Sequence, residues 1–269
     1  MIIRHDLKLV FIHVPKCAGK QLRWIFKQGA EAHAIEDLWN YEHNTILNRY
    51  VDLAHLPLSD LRTYPQFKYL NRYKVVACVR NPYMRLPSAV NEYYRQKSKY
   101  HETLVKEGKL TMELRQAYYR KMMRKHCELD PRFIHSLPIH RFTHYGFKAK
   151  VDHLLRCERL DEDIQELSRK LDWPAGLQNA IDAKVSYLVG KKEEFMLTEK
   201  EKSIAERIYK VDFETFGYMN MKIGEKKTTK KSGKAGSVKQ IHNLDEVSWH
   251  WGPTAERSIQ KRKPTRTTC

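Results

Sequence analysis

Two short apolar runs, "LKLVFIHV" (7–14) and "YKVVACVR" (73–80), constrain this chain more than any other feature. Neither alternates apolar with polar residues. A strand that is apolar on both sides is buried on both faces, as in a parallel sheet covered by helices. Each run leads at once into a polar loop and a helical pattern. After the first, "QLRWIFKQG" (21–29) sets Leu22, Ile25 and Phe26 at helical spacing, and Gly29 suits its end. After the second, "NPYMRLPSAVNEYYRQK" (81–97) reads as a helix capped by Asn81, with Pro82 in its first turn. Pro87 lacks a backbone donor and bends that helix just before Ser88. "KVDHLLRCE" (150–158) is a third strand, followed by a helix that Asp161 caps, with Glu162 and Asp163 in its first turn. Thr198 and Glu201 form a capping box that opens a helix over 198–218, with Ile204, Ile208 and Phe213 as its packed positions. Residues 99–149, rich in Tyr, His and Arg, supply helices and loops over the active face.

The apolar share of 41% supports a real core, and 269 residues suffice for one sizeable α/β domain. The domain spans 1–223. From Lys222 onward there are twelve Lys/Arg against four Asp/Glu, so this end carries +8 of the total +18. The stretch "GEKKTTKKSGKAGS" has almost no apolar residue and reads as a solvated linker, mobile at least over 224–240. Trp249 and Trp251 can dock back, and "QKRKPTRTTC" is a basic terminus. The remaining +10 lies on residues 1–221, so the globular part attracts anions in its own right. The five cysteines (17, 78, 127, 157 and 269) form no C-x-x-C pair; they read as free thiols in a reducing compartment rather than as a zinc site. No apolar run approaches the ~20 residues of a membrane span, and the first strand leaves no room for a cleaved leader. Together these read as a cytoplasmic protein that needs no metal.

The loop "HVPKCAGKQL" (13–22) joins the first strand to its helix. Backbone N–H groups at a helix N-terminus favour an anion. Ala18 and Gly19 permit close backbone approach, while Lys16 and Lys20 supply point charges. The ATP-binding consensus G-x-x-x-x-G-K-[ST] would need glycine at Val14 and a hydroxyl at Gln21, so the usual magnesium ligand is missing. The second strand ends in "CVRNPYMRLPS", which puts Arg80 at its carboxyl end and Ser88 on the following helix. Ligands of open α/β sheets sit at that edge, where Arg and Ser can grip a phosphate. The fold expected is α/β: a P-loop-like, three-layer arrangement with a central parallel sheet flanked by helices.

"PKCAGKQL" resembles the 5′-phosphosulfate loop of PAPS-dependent sulfotransferases, and "VVACVRNPYMRLPSAV" resembles their 3′-phosphate motif, with Ser88 eight residues after Arg80. "VDHLLRCERLDEDIQELSRKL" and "IYKVDFETFGY" are similar to later blocks of the carbohydrate-type members, family 2. The resemblance runs from about residue 8 to 219. Lys20 and Gln21 replace the family's usual Ser/Thr, and Pro87 replaces an aliphatic residue.

The resemblance implies transfer of a sulfuryl group from PAPS to a hydroxyl, or an amine, of a carbohydrate-like acceptor, acidic ones included. It implies donor binding by Lys16, Cys17, Ala18, Gly19, Lys20, Gln21, Arg80 and Ser88. Lys16 would stabilise the leaving group. His55, in "AHLPLSDL" between the two phosphate motifs, would be the base, with Ala54 in place of a frequent Gly. His140 and His144 are alternatives as base or acceptor ligands. Glu92, one helical turn after Ser88, is another candidate base or an ion-pair residue. Arg156 and Glu158 shape the acceptor or nucleotide face, and Lys191 and Lys192 could add phosphate contacts. Two other readings stay open: a P-loop nucleotide kinase, or a basic nucleic-acid-binding protein, although no RNA- or DNA-binding motif is visible.

Overall fold

The computed structural model describes residues 1–123, 131–188 and 195–219, without the side chains of 184–188. Cys127, Lys191, Lys192 and the basic stretch 224–269 with Trp249 and Trp251 lie outside the described residues.

The strands are β1 (Ile2–Arg4), β2 (Leu9–Ile12), β3 (Ile35–Asp37), β4 (Tyr41–Asn44), β5 (Arg49–Asp52), β6 (Lys74–Val79), β7 (His144–Tyr145), β8 (Lys148–Ala149) and β9 (His153–Arg156). The helices are α1 (Gly19–Phe26), α2 (Leu58–Leu61), α3 (Pro82–Arg95), α4 (Lys99–Lys106), α5 (Met112–Met123), α6 (His140–Thr143), α7 (Leu160–Lys170), α8 (Ala175–Leu188), α9 (Glu199–Ile208) and α10 (Lys210–Thr215).

One five-stranded sheet runs in the order β3-β1-β2-β6-β9. β2, β6 and β9 are parallel, with Ile12 opposite Ala77 and Val79 opposite Arg156. Their apolar residues are buried on both faces, as the continuous runs require: Val10, Phe11, Val75, Val76 and Val79 have no exposed surface. The sheet departs from the expected all-parallel form at one edge. β1 pairs antiparallel with both β2 and β3. Ile2 and Ile3 are fully buried, so this edge extends the core.

Helices flank the sheet in two groups. α1, α7 and α8 pack together, and α3 gathers α4 and α9. Gly29 ends the first helical segment at φ 64°, and its backbone lies against Gly176; a Cβ there would fall 3.2 Å from the Gly176 backbone. Asn81 caps α3 as expected, its Oδ1 accepting from the Tyr83 amide at 3.0 Å. α3 runs unbroken through Pro87, so Ser88 follows on a continuous helix.

Two boundaries differ from expectation. Asp161 does not cap α7: Arg159 holds the cap position, and Asp161 sits within the first turn, where its charge still meets the helix dipole. The helix expected over 198–218 opens with the Thr198–Glu201 capping box but breaks at Tyr209 into α9 and α10. α9 packs on α3, and the break turns the chain on to α6, which α10 contacts. The Tyr209 hydroxyl reaches the Ser136 carbonyl, and fully buried Asp212 accepts from the Ile139 and His140 amides.

Candidate active site

Parallel pairing brings the carboxyl ends of β2, β6 and β9 side by side. From them leave the loop 13–18, the Arg80–Asn81 corner and the Cys157–Glu158 turn. Arg80 Nη1 reaches to 3.5 Å from the Lys16 carbonyl, so the two motifs meet in space. Glu158 Oε1 accepts from the Asn81 amide at 2.6 Å, and its Oε2 accepts from the Tyr218 hydroxyl at 3.0 Å. Glu158 therefore holds the backbone just after Arg80, and Arg156 lies over the Tyr218 ring at 5.1 Å.

Lys16 and Ala18 have φ of 63° and 55°, left-handed values that non-glycine residues adopt at a cost. Alternation of this kind turns successive N–H groups to one side, and no side chain caps α1 behind them. Gly19 is not in that region; it is needed for a different reason. A Cβ on Gly19 would lie 1.7 Å from His13 Nε2 and 1.8 Å from Cδ2, because that edge of the imidazole packs against the start of α1. The close approach at Gly19 is to His13. Cys17 is 1% exposed and turns inward beside Cys157, whose Sγ lies 3.5 Å from Cys78 Sγ. All three are free thiols pushed up in pKa, so Cys17 offers the site its backbone only. Lys20 is exposed in the first turn of α1, and Gln21 is half-buried beside it.

α3 braces the loop from one side. Fully buried Arg85 donates from Nε to the Pro15 carbonyl at 3.0 Å and from Nη2 to the His135 and Leu137 carbonyls at 3.2 and 2.7 Å. Ser88, half-buried, lies on the same helix. One turn further on, Glu92 pairs with Lys16 Nζ at 2.8 Å, with Arg95, and with Gln96 Nε2 at 3.0 Å. Burial pushes the Glu92 carboxyl up, but the Lys16 and Arg95 cations outweigh it and hold it at about 2. Glu92 is an ion-pair residue here; so acidic a carboxyl makes a poor base.

His55 ends a 3-10 turn (Leu53–His55) that Asp52 caps, Oδ1 accepting from the Ala54 amide at 2.9 Å. Its Nδ1 lies 3.2 Å from the His13 carbonyl. A carbonyl only accepts, so Nδ1 carries the proton and Nε2 keeps the lone pair. The His13 ring lies 4.2 Å away and the His135 ring 5.3 Å away. Burial, above all, pulls all three imidazoles below the ordinary histidine range, His135 to about 4; His55 adds to it at His13, His135 and Lys16 at His55, and Lys16 at His135. The result is a neutral histidine cluster, with His13 and His135 buried and His55 half-buried, beside the Lys16–Glu92 pair. His13 and His135 were not singled out from the sequence. His13 adjoins the loop and could have been; His135 arrives only through tertiary packing of the 3-10 helix Pro131–Ser136. His140 and His144 are used elsewhere: His140 Nδ1 pairs with Asp212 at 3.0 Å, and buried His144 bonds Thr143 Oγ1 at 2.9 Å.

A pH dependence of stability follows. The three rings titrate lower in the fold than in the unfolded chain, so unfolding takes up protons. Their contribution is complete above an ordinary histidine value of 6.5 and is lost as pH falls, for His135 down to about 4. Glu92 adds a second loss, from 4.5 towards about 2. The melting temperature should therefore begin to drop below pH 6.5, before carboxylates titrate. His135→Phe should shrink the drop between pH 7 and 5.

A family model described as the sulfotransferase family matches residues 1–219. The chain belongs to the sulfotransferase family. Comparison with curated proteins and with solved structures gives no match. The matched span ends one residue after Tyr218, the partner of Glu158, so the sulfotransferase domain includes both halves of that contact. Among the described residues no helix is long and apolar enough to cross a membrane, and no group of three or more His, Cys, Asp or Glu could hold a metal ion.

Proposed function

We propose that this sulfotransferase moves a sulfuryl group from PAPS to a hydroxyl of a carbohydrate-like acceptor. Lys16 stabilises the leaving group and His55 is the base. The observation that carries the proposal is the junction of the loop with the histidine cluster: His55 is oriented by the carbonyl of His13, three residues before Lys16.

The residues suit a polyanionic donor. Lys16, Lys20 and Arg80 provide charge, Ser88 a hydroxyl, and the uncapped start of α1 its N–H groups. Among the described residues, buried Arg85 Nη1 and Arg156 Nη1 have no hydrogen-bond partner. Lys16, Lys20 and the loop amides would hold the 5′-phosphosulfate; Arg80 and Ser88 would hold the 3′-phosphate. PAPS supplies the sulfuryl group and departs as PAP. His55 Nε2 takes the acceptor's proton as the new O–S bond forms. Lys16 Nζ neutralises the charge that develops on the oxygen of the breaking S–O bond. Glu92 holds the Lys16 ammonium by their ion pair, and Glu158 holds the backbone just after Arg80.

The test of the reading is ligand choice. PAP at ~100 times its Kd should add about 2.7 kcal/mol, raising the melting temperature by roughly 5–10 °C. Stabilisation by ATP with magnesium and not by PAP would make the chain a kinase. Lys16→Ala should lower kcat by ~10²–10³ while weakening PAP far less, because its contact strengthens as charge develops. An unchanged kcat would remove Lys16 from the chemistry.

A further inference from the structure

The antiparallel ribbon β4–β5 stands beside the histidine cluster and takes no part in the donor site. Its pairing sets Tyr41 opposite Asp52, Glu42 opposite Val51, His43 opposite Tyr50 and Asn44 opposite Arg49. Side chains alternate between the two faces of a strand. One face therefore carries Val51 and Asn44, buried at 3% and 7%, with Asn44 bonded to Thr63, flanked by exposed Glu42 and Arg49. The other is Tyr41, His43, Tyr50 and Asp52. A solvated ribbon face is normally charged or small. Here Tyr41 is 54% exposed and Tyr50 67%, and His43 is exposed with its ring 5.3 Å from that of Tyr50.

The strip is continuous with the reaction centre. Asp52 ends β5 and caps the turn that carries His55. At the foot of β4, Trp39 is 44% exposed, braced by the Arg23 guanidinium at 4.1 Å and parallel to the His13 ring at 6.5 Å. His13 in turn lies 4.2 Å from His55. A line of rings thus leads from open surface to the base. Tyr41 also lies within electrostatic reach of Glu92, the partner of Lys16.

We propose that this face of the ribbon is the acceptor platform, and that its occupant is a sugar chain laid across Tyr41 and Tyr50 with one hydroxyl delivered to His55. The proposal rests on the sulfotransferase reading above. A pyranose has a C–H face that suits the electron-rich face of an aromatic ring, and hydroxyls at its rim. His43 and Asp52, interleaved with the tyrosines, are placed for those rim hydroxyls. An apolar peptide would want an unbroken apolar groove, which the interleaved polar groups interrupt. Same-face neighbours on a strand are about 6.7 Å apart and cross-strand diagonals about 7–8 Å. The strip therefore meets more than one sugar residue and favours an oligosaccharide over a monosaccharide.

The test uses the full chain, saturated with PAP, and a hexasaccharide of alternating glucuronic acid and N-acetylhexosamine as probe. Binding is read by calorimetry in the parent, in Tyr41→Ala/Tyr50→Ala and in Tyr41→Phe/Tyr50→Phe. Both tyrosines are exposed, so the fold should survive; melting temperature and PAP affinity check this. The alanine pair should weaken the hexasaccharide at least tenfold, the phenylalanine pair less than threefold, and PAP affinity should stay within twofold in both. Hexasaccharide affinity within twofold of the parent in the alanine pair would overturn the platform. So would a parent that binds PAP yet transfers only to non-sugar acceptors. A self-association that sediments as a dimer and is abolished by the alanine pair would assign the strip to a second copy instead. Failure of the parent to bind PAP at all would overturn the donor reading and the platform with it.

Discussion

His55→Ala should lower kcat by roughly 10²–10⁴, the usual span for a lost general base, while PAP binding stays intact. The structure supplies the reason for so large an effect. The His13 carbonyl holds Nδ1, which leaves Nε2 as the basic nitrogen without any change of tautomer. Burial and the flanking rings keep the imidazole neutral at pH 7. Because its pKa lies well below the ordinary 6.5, the acid limb of kcat/KM should also fall below pH 6.5. Turnover retained in His55→Ala would move the proton transfer to another group; the His13 and His135 rings, 4.2 and 5.3 Å away, are the neighbouring candidates.

The second large effect is expected at Gly19. Gly19→Ala puts a methyl carbon 1.7 Å from His13 Nε2 and 1.8 Å from Cδ2. His13 has little freedom to retreat: it is 5% exposed and bounded by the rings of Phe11, Trp39 and His55. Overpacking of this kind costs about 1–3 kcal/mol, or roughly 2–12 °C in melting temperature for a domain of this size. The loop must also shift, so PAP affinity should fall sharply. Adding His13→Ala removes the obstacle, and the double variant should recover stability relative to Gly19→Ala alone. No recovery would show that the glycine serves the loop in some other way.

What could be read from the sequence depended on whether a feature is local. β2 and β6 were legible because both faces of each strand are buried, which leaves a continuous apolar run. The Asn81 cap and the Thr198–Glu201 box were legible because capping is settled within four residues. β1 and β3 were not: three residues are too few to show a period, and their pairing is made by the sheet. β4 and β5 were hidden for the opposite reason. Their outward face is aromatic, so neither strand alternates apolar with polar. The break at Tyr209 reflects the pull of Ser136 and of the α6 amides on Asp212, all more than seventy residues away in sequence. In the candidate site, Lys16, Arg80 and Ser88 lay in recognisable spacings. Arg85 and His135 act through carbonyls and rings that only the folded chain brings near.

The contacts of the final helices have a consequence for how the protein is made. Tyr209, Asp212 and Tyr218 fasten, respectively, the end of the Pro131–Ser136 turn, the start of α6 and the carboxylate that holds Asn81. A growing chain that stops short of residue 218 has its donor loop and both strand ends but lacks these fastenings. During synthesis the proposed donor edge is thus the last part to set, and a ribosome-tethered fragment ending near residue 200 should be unable to hold PAP even though every residue proposed to contact the donor has already emerged.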